Sequence, residues 1–304
     1  MKVLITGATG FVGSKLTKFL LTEGFQINYL TTSKKKLKTE NNLRGFYWNP
    51  SNCEIDDKCI EGVDYIINLS GKSLSGKWTA TYKKEILQSR IDSSQTLQKL
   101  LSSKPNTVKK VISASAVGIY KNNLNVFQSE ETTSFDTGFL GEVCSKWETE
   151  NQKFNNLGIE TLIVRIGLVL SEKEGALPVF TKTVKYYVAS SFGTGKQWYS
   201  WIHIHDLVRM IHFCLINEVN GVVNAVAPNP KTQKEFLNTL ARSLDRRVML
   251  PAIPAKILRA FIGEKHKLVT DSQKVSASKI LKLGFNFKYP YLKDAFKNFY
   301  GKTA

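Results

Sequence analysis

Gly7, Gly10 and Gly13 stand three residues apart, where a short apolar run ends and a helical pattern begins. A turn without side chains lets backbone N–H groups and the positive end of the following helix converge on one anion. That is the chemistry a dinucleotide pyrophosphate requires. Thr9, Phe11 and Val12 lie in the same turn and join the glycines as candidate contacts. A second group, Thr32, Ser33, Lys34 and Lys35, follows the next apolar run, and no Asp or Glu occurs between Gln26 and Thr39. An acid about 20 residues past the glycines would take the ribose 2′-OH of NAD. Hydroxyl and ammonium groups suit a 2′-phosphate instead, which a carboxylate would repel. The expected cofactor is NADP(H) in preference to NAD(H), against the plain alternative of a solvated lysine run.

Further along, two apolar runs end in small and hydroxyl residues: Leu69, Ser70 and Gly71, then Ser113, Ser115 and Tyr120. In an open α/β sheet, such carboxyl ends face the ligand crevice. Leu69, Ser70, Gly71 and Ser113 are therefore candidate cofactor contacts. Ser115 is a candidate catalytic hydroxyl and Tyr120 a candidate acid, although a core tyrosine with a satisfied hydroxyl fits the pattern as well. His203 sits in an aromatic loop with Trp198 and Trp201 and is a second candidate proton donor. Arg165, inside an apolar strand, is either paired or aimed at an anionic ligand group. No metal site is expected, because Cys53, Cys59, Cys144 and Cys214 show neither C-x-x-C spacing nor a histidine partner.

Strands and helices must alternate to place these groups on one edge. Strands are read near 2–6, 26–31, 45–49, 64–69, 108–115 and 160–166, and helices near 11–24, 79–101, 140–156 and 174–189. The exposed face of the second helix is expected to carry Lys83, Lys84 and Arg90. A helix from about Asp206 and a short strand at 222–225 follow. Further helices are read near 231–244, 254–262 and 272–282. Residues 1–228 are expected to form the nucleotide-binding domain together with part of a substrate lobe (about 167–205). Residues 229–304 are expected to form a small, mainly helical domain. The net charge of +18 comes mostly from scattered lysines, which argues against a dedicated nucleic-acid site. A strand beginning at residue 2 leaves no room for a signal peptide, and no apolar run is long enough to span a membrane. A cytoplasmic protein with reduced thiols and a small-molecule substrate is expected.

The segments TGATGFVG, INLSGKSL followed by GKW and SRI, SASAVGIY, FLGEVCSKWE, GTGKQWYSWIHIHDLV and NAVAPNP occur in this order. Together they resemble an atypical, epimerase-type (NAD(P)-dependent epimerase/dehydratase-like) subfamily of the extended short-chain dehydrogenases, over essentially the whole chain. Members carry an extra small C-terminal domain. The resemblance implies an α/β fold: a seven-stranded, doubly wound (Rossmann) parallel sheet with a smaller, mostly helical C-terminal substrate lobe. It implies pyrophosphate contacts at Gly7, Gly10, Phe11 and Val12, 2′-phosphate contacts at Thr32 and Ser33 with Lys34 or Lys35, and an active-site hydroxyl at Ser115. It further implies an NADP(H)-dependent oxidoreductase or epimerase-like enzyme and leaves room for a homodimer.

The chain departs from the superfamily where the proton chemistry is done. The usual Tyr-x-x-x-Lys pair aligns with Leu140 and Cys144, and Leu has no proton to give while Cys is a weak, neutral donor. Lys146 is near but faces another side of the helix. Tyr199 stands where sugar-nucleotide enzymes often have Arg. These losses bring in an alternative reading, an NADPH-sensing regulatory or scaffold protein.

Overall fold

A computed structural model describes residues 1–301; the last three residues of the expected 229–304 domain lie outside the described residues. The described chain forms two compact units. The first comprises residues 1–116, 142–165 and 208–223, and the second 117–141, 166–207 and 224 onward. The second unit thus starts far earlier than residue 229 and includes a segment, 117–141, that sequence patterning places with the sheet.

The first unit is built on a sheet of nine strands: β1 (Lys2–Thr6), β2 (Gln26–Thr31), β3 (Thr39–Glu40), β4 (Leu43–Asn49), β5 (Glu54–Ile55), β6 (Tyr65–Asn68), β7 (Lys110–Ala116), β8 (Glu160–Ile166) and β9 (Gly221–Ala225). Their order is β9-β8-β7-β6-β1-β2-β4-β3, with β5 paired to β4. Pairings β1·β2, β1·β6, β2·β4 and β6·β7 are parallel. β3 and β5 are two-residue antiparallel additions to β4, so the seven longer strands make the expected doubly wound sheet. Val3, Leu4 and Ile5 are wholly buried, as befits a parallel strand covered on both faces.

Helix α1 (Phe11–Thr22) follows β1, and α2 (Ala80–Ser103) follows β6. The Thr79 side chain caps α2 by accepting from the Tyr82 N–H at 3.2 Å. Leu97, Leu100 and Leu101 of α2 join Leu4, Ile66, Val111 and Phe154 in one apolar cluster. Helix α3 (Phe139–Gln152) buries Cys144, Trp147, Glu148 and Asn151, which fall on one face at spacings of three and four.

A buried polar network crosses the first unit behind the strand ends. Thr6 Oγ1 donates to Asn68 Oδ1 at 2.7 Å, and the Ser93 hydroxyl reaches the same oxygen at 2.9 Å. Asn68 Nδ2 donates to Ser94 Oγ at 3.3 Å, while Ser94 and Ser113 each place a hydroxyl 2.9 Å from Asn151 Oδ1. Each polar group has a partner, which is the condition for burying it without a large desolvation cost.

In the second unit, α4 (Leu177–Lys185) is shorter than the sequence pattern suggests. Pro178 in its first turn sets its start, and Tyr187, with φ at 59°, lies beyond its end. Helix α5 (Ile204–Ile216) carries the chain back to the first unit. Helix α6 (Gln233–Ser243) opens with a capping box between Thr232 and Glu235. The helix expected near 272–282 begins only at Ser278, after a short strand, Lys274–Val275. Phe180, Tyr199, Trp201, Phe236 and Phe296 form the core of this unit. Among the described residues, no helix is long and apolar enough to cross a membrane.

Candidate nucleotide-binding site

The chain leaves β1 and turns at Gly7, whose φ of 68° lies in the left-handed region. A Cβ there would also stand 2.9 Å from the Leu69 carbonyl oxygen, so two separate constraints demand glycine. The Gly10 N–H donates to Gly7 O at 2.9 Å, and Gly10 then serves as the N-cap of α1. At Gly13 a Cβ would run into Gly7 O and come within 2.7 Å of Gly7 C. The helix therefore packs directly on the turn. No side chain caps α1, and its first turn contains no acid. Free N–H groups, a positive helix end and glycine-only space together fit an anionic diphosphate. Thr9 and Gly10 are exposed, while Phe11 and Val12 are half-buried.

Past β2, Thr32, Lys34 and Lys35 are exposed and Ser33 is half-buried. Ser33 leads into a single helical turn, Lys34–Lys36. Lys34 Nζ lies 5.2 Å from the centre of the Tyr47 ring, on the neighbouring strand β4. Tyr29 shapes this turn: its hydroxyl donates to Lys36 O at 2.6 Å and accepts from the Lys38 N–H at 2.9 Å. Gly45 opposite makes that possible, since a Cβ there would meet the Tyr29 ring at 2.6 Å. Neither Tyr29 nor Gly45 stands out in the sequence.

Register places three strand ends side by side, with Thr6 opposite Asn68 and Asn68 opposite Ser113. The backbone N–H groups of Leu69 and Ser70 both donate to Thr6 Oγ1, at 3.1 and 3.2 Å, which pins the exit of β6 beside the glycine turn. Ser113, expected among the cofactor contacts, is wholly buried and turned to Asn151 instead. Gly71 has its own neighbour: a Cβ there would lie 2.9 Å from Arg90 Cζ. Arg90, expected on an exposed helix face, is half-buried with its guanidinium 4.9 Å from the Trp147 ring centre.

Ser115, next to last in β7, belongs to a buried triad. Its hydroxyl donates to Glu148 Oε1 at 2.6 Å. Arg165 holds the same carboxylate with two donors, Nε to Oε1 at 2.9 Å and Nη2 to Oε2 at 2.8 Å. Ser115, Glu148 and Arg165 are 3%, 6% and 3% exposed, so this two-pronged pair is dry. Of the two sequence readings of Arg165, a protein carboxylate is the partner found. Next to them the Cys144 thiol is pushed up to about 12 by burial and then by the Glu148 charge, which keeps it protonated at neutral pH. Lys146 pairs at 2.7 Å with Glu142 on the exposed face of α3.

Tyr120 and His203 both lie in the second unit. Tyr120 is wholly buried and its hydroxyl donates to Asn224 Oδ1 at 2.8 Å. His203 is stacked between Tyr289 and Phe299, with ring centres at 4.0 and 4.5 Å. Its Nδ1 accepts from the His205 N–H at 3.0 Å, which puts the ring proton on Nε2, 3.2 Å from Asn298 Oδ1. Burial pulls the His203 pKa down to about 4. Tyr199 donates its hydroxyl to Val269 O at 2.9 Å, and burial raises its pKa. No group of three or more His, Cys, Asp or Glu suited to a metal occurs among the described residues.

The neutral state of His203 has a thermodynamic consequence. Between about pH 6.5 and 4 the unfolded chain binds a proton here while the folded chain does not. Stability is therefore full above that window and falls as pH drops through it, by about 3 kcal/mol for a shift of this size. Urea unfolding of the wild type should weaken more steeply from pH 7 to 4 than that of His203→Gln. Equal slopes would show that the ring protonates freely in the folded state.

Residues 3–226 match the NAD dependent epimerase/dehydratase family, and residues 253–299 match a domain of unknown function, DUF1731. An epimerase family protein of Staphylococcus aureus is 36% identical over 300 residues, covering 98% of this chain and 99% of that one. Epimerase family protein YfhF of Bacillus subtilis is 35% identical over 296 residues, covering 97% and 96%. Among solved structures, human epimerase family protein SDR39U1 (isoform 2), crystallised with NADPH, superposes with a TM-score of 0.85 at 26% identity, over 100% of both chains.

Proposed function

The chain belongs to the NAD dependent epimerase/dehydratase family, and from that premise we propose that it binds NADP(H) and acts as an oxidoreductase or epimerase-like enzyme on a carbonyl or alcohol carbon of a small molecule. The nicotinamide would supply the hydride chemistry, leaving binding and orientation to the protein. The observation that carries this reading is the glycine cradle, in which Gly7 and Gly13 leave no room for a Cβ beneath an uncapped helix end. The NADPH held by the human relative supports the same cofactor.

In this reading Gly7, Thr9, Gly10, Phe11, Val12 and Gly13 hold the pyrophosphate, and Thr32, Ser33, Lys34 and Lys35 hold the 2′-phosphate. Leu69, Ser70 and Gly71 line the ribose, with Ser113 acting one layer behind through Asn151. Ser115 meets the substrate oxygen. Its own proton is committed to Glu148, so it receives a substrate hydroxyl as an acceptor. Arg165 holds Glu148 fixed in that task. The hydroxyl of Tyr120 and the imidazole of His203 are engaged within the second unit, which leaves water as the proton carrier.

One feature favours the alternative of an NADPH-sensing protein with no catalysis: Leu140 and a protonated Cys144 stand in the slots of the usual tyrosine and lysine. Tritium at C4 of NADPH separates the two readings. Transfer of label from NADPH to a metabolite in cell extract, dependent on the protein and weakened in Ser115→Ala, is expected. Tight NADPH binding with no label transferred would favour the sensor.

A further inference from the structure

We propose that Arg90 is the cation that holds the nicotinamide ribose, in place of the lysine that the chain lacks; this rests on the NADP(H) reading above. Arg90 projects from α2 toward the end of β6, where Gly71 makes room for it. Its Nη1 donates to Ile86 O at 2.7 Å and lies 3.3 Å from Lys72 O, which fixes one side of the guanidinium plane. Among the described residues, Nε and Nη2 make no hydrogen bond and no carboxylate pairs with the charge. The Trp147 ring covers one face of the plane, and Trp147 Nε1 is itself buried without a partner among the described residues.

A half-buried cation with two idle donors and no counter-ion is expensive unless a ligand completes it. The fixed fork of a guanidinium suits two neighbouring oxygens, as in a ribose diol. Gly71 adjoins Ser70 and Leu69, the stretch tied by Thr6 to the glycine cradle, so the guanidinium sits on the same edge as the diphosphate site. It also acts electrostatically on Cys144, the residue aligned with the missing lysine. Helix α2 thus supplies from one side a charge that α3 supplies in other members of the superfamily.

Calorimetric titration with two probes tests this: NADPH, and 2′,5′-ADP, which carries the 2′-phosphate but no nicotinamide ribose. The wild type should bind both, NADPH more tightly. Arg90→Met should lose about tenfold or more in NADPH affinity, the range for hydrogen bonds to a charged group, and keep its affinity for 2′,5′-ADP. Gly71→Ala, whose added methyl displaces only the guanidinium end of a flexible side chain, should show the same selective loss. Unchanged NADPH affinity in both variants would overturn the proposal, and so would parallel losses for both probes. A wild type that binds 2′,5′-ADP as tightly as NADPH would also overturn it while leaving the nucleotide reading intact. If the wild type binds neither probe, the NADP(H) reading itself fails.

Discussion

Gly13→Ala should abolish measurable NADPH binding and cost several kcal/mol of stability. The added Cβ would run into the Gly7 carbonyl oxygen and would also approach Gly7 C at 2.7 Å and Ala8 Cα at 2.9 Å. All three neighbours are backbone, so no rotamer change relieves the clash. Helix α1 must lift from the turn, and Leu16 and Leu20, both wholly buried, would be lifted with it. Overpacking of this kind typically costs about 1–3 kcal/mol even where side chains can adjust. Thermal unfolding and NADPH titration of the same variant check both halves of the expectation. A fully stable Gly13→Ala protein that still binds NADPH would mean that α1 does not pack on the turn as described.

The second large effect is expected at Glu148. Glu148→Ala removes the acceptor of the Ser115 hydroxyl and takes the carboxylate from Arg165, which is 3% exposed within the apolar strand β8. Stranding a buried charge in this way costs about 3–5 kcal/mol. The double variant Glu148→Ala/Arg165→Met should regain much of that loss, because the buried cation goes together with its carboxylate. It should not regain the label transfer expected of the proposed enzyme, since Ser115 loses the group that orients its proton. Denaturant unfolding of the two single variants and the double variant gives the coupling directly. Additive losses would contradict a linked pair.

The parts of the fold that follow from local chemistry were readable in the residue order. The turn at Gly7 to Gly13 is one: a positive φ and contacts within six residues are both local. The alternation of β1, α1 and β2 is another, as is the absence of an acid after β2. Features set by contacts across long sequence separations were not. Arg90 reads as one more charge on an amphipathic helix, and only the approach of Gly71, 19 positions earlier, turns it inward. Glu148 reads as one more acid on α3, but its bond to Ser115 spans 33 residues and depends on how α3 crosses β7. Residues 117–141 carry no boundary signal. They belong to the second unit through pairings such as the Asn123 N–H with Ser272 O, which no periodicity announces.

Tyr120 and His203 illustrate why residue type alone misleads. Both are competent acids in water, and both are drawn into satisfied positions in the core of the second unit. A sequence shows that a group exists, and only packing shows whether its proton is free to move.

Titration of the protein with NADPH and NADH in parallel addresses the central claim most directly, because the two ligands differ only in the 2′-phosphate that the Thr32–Lys35 segment is held responsible for. NADPH should bind at least tenfold more tightly, and Lys34→Ala/Lys35→Ala should erase that preference without preventing binding of NADH. Preference for NADH, or heat from neither ligand, would contradict it.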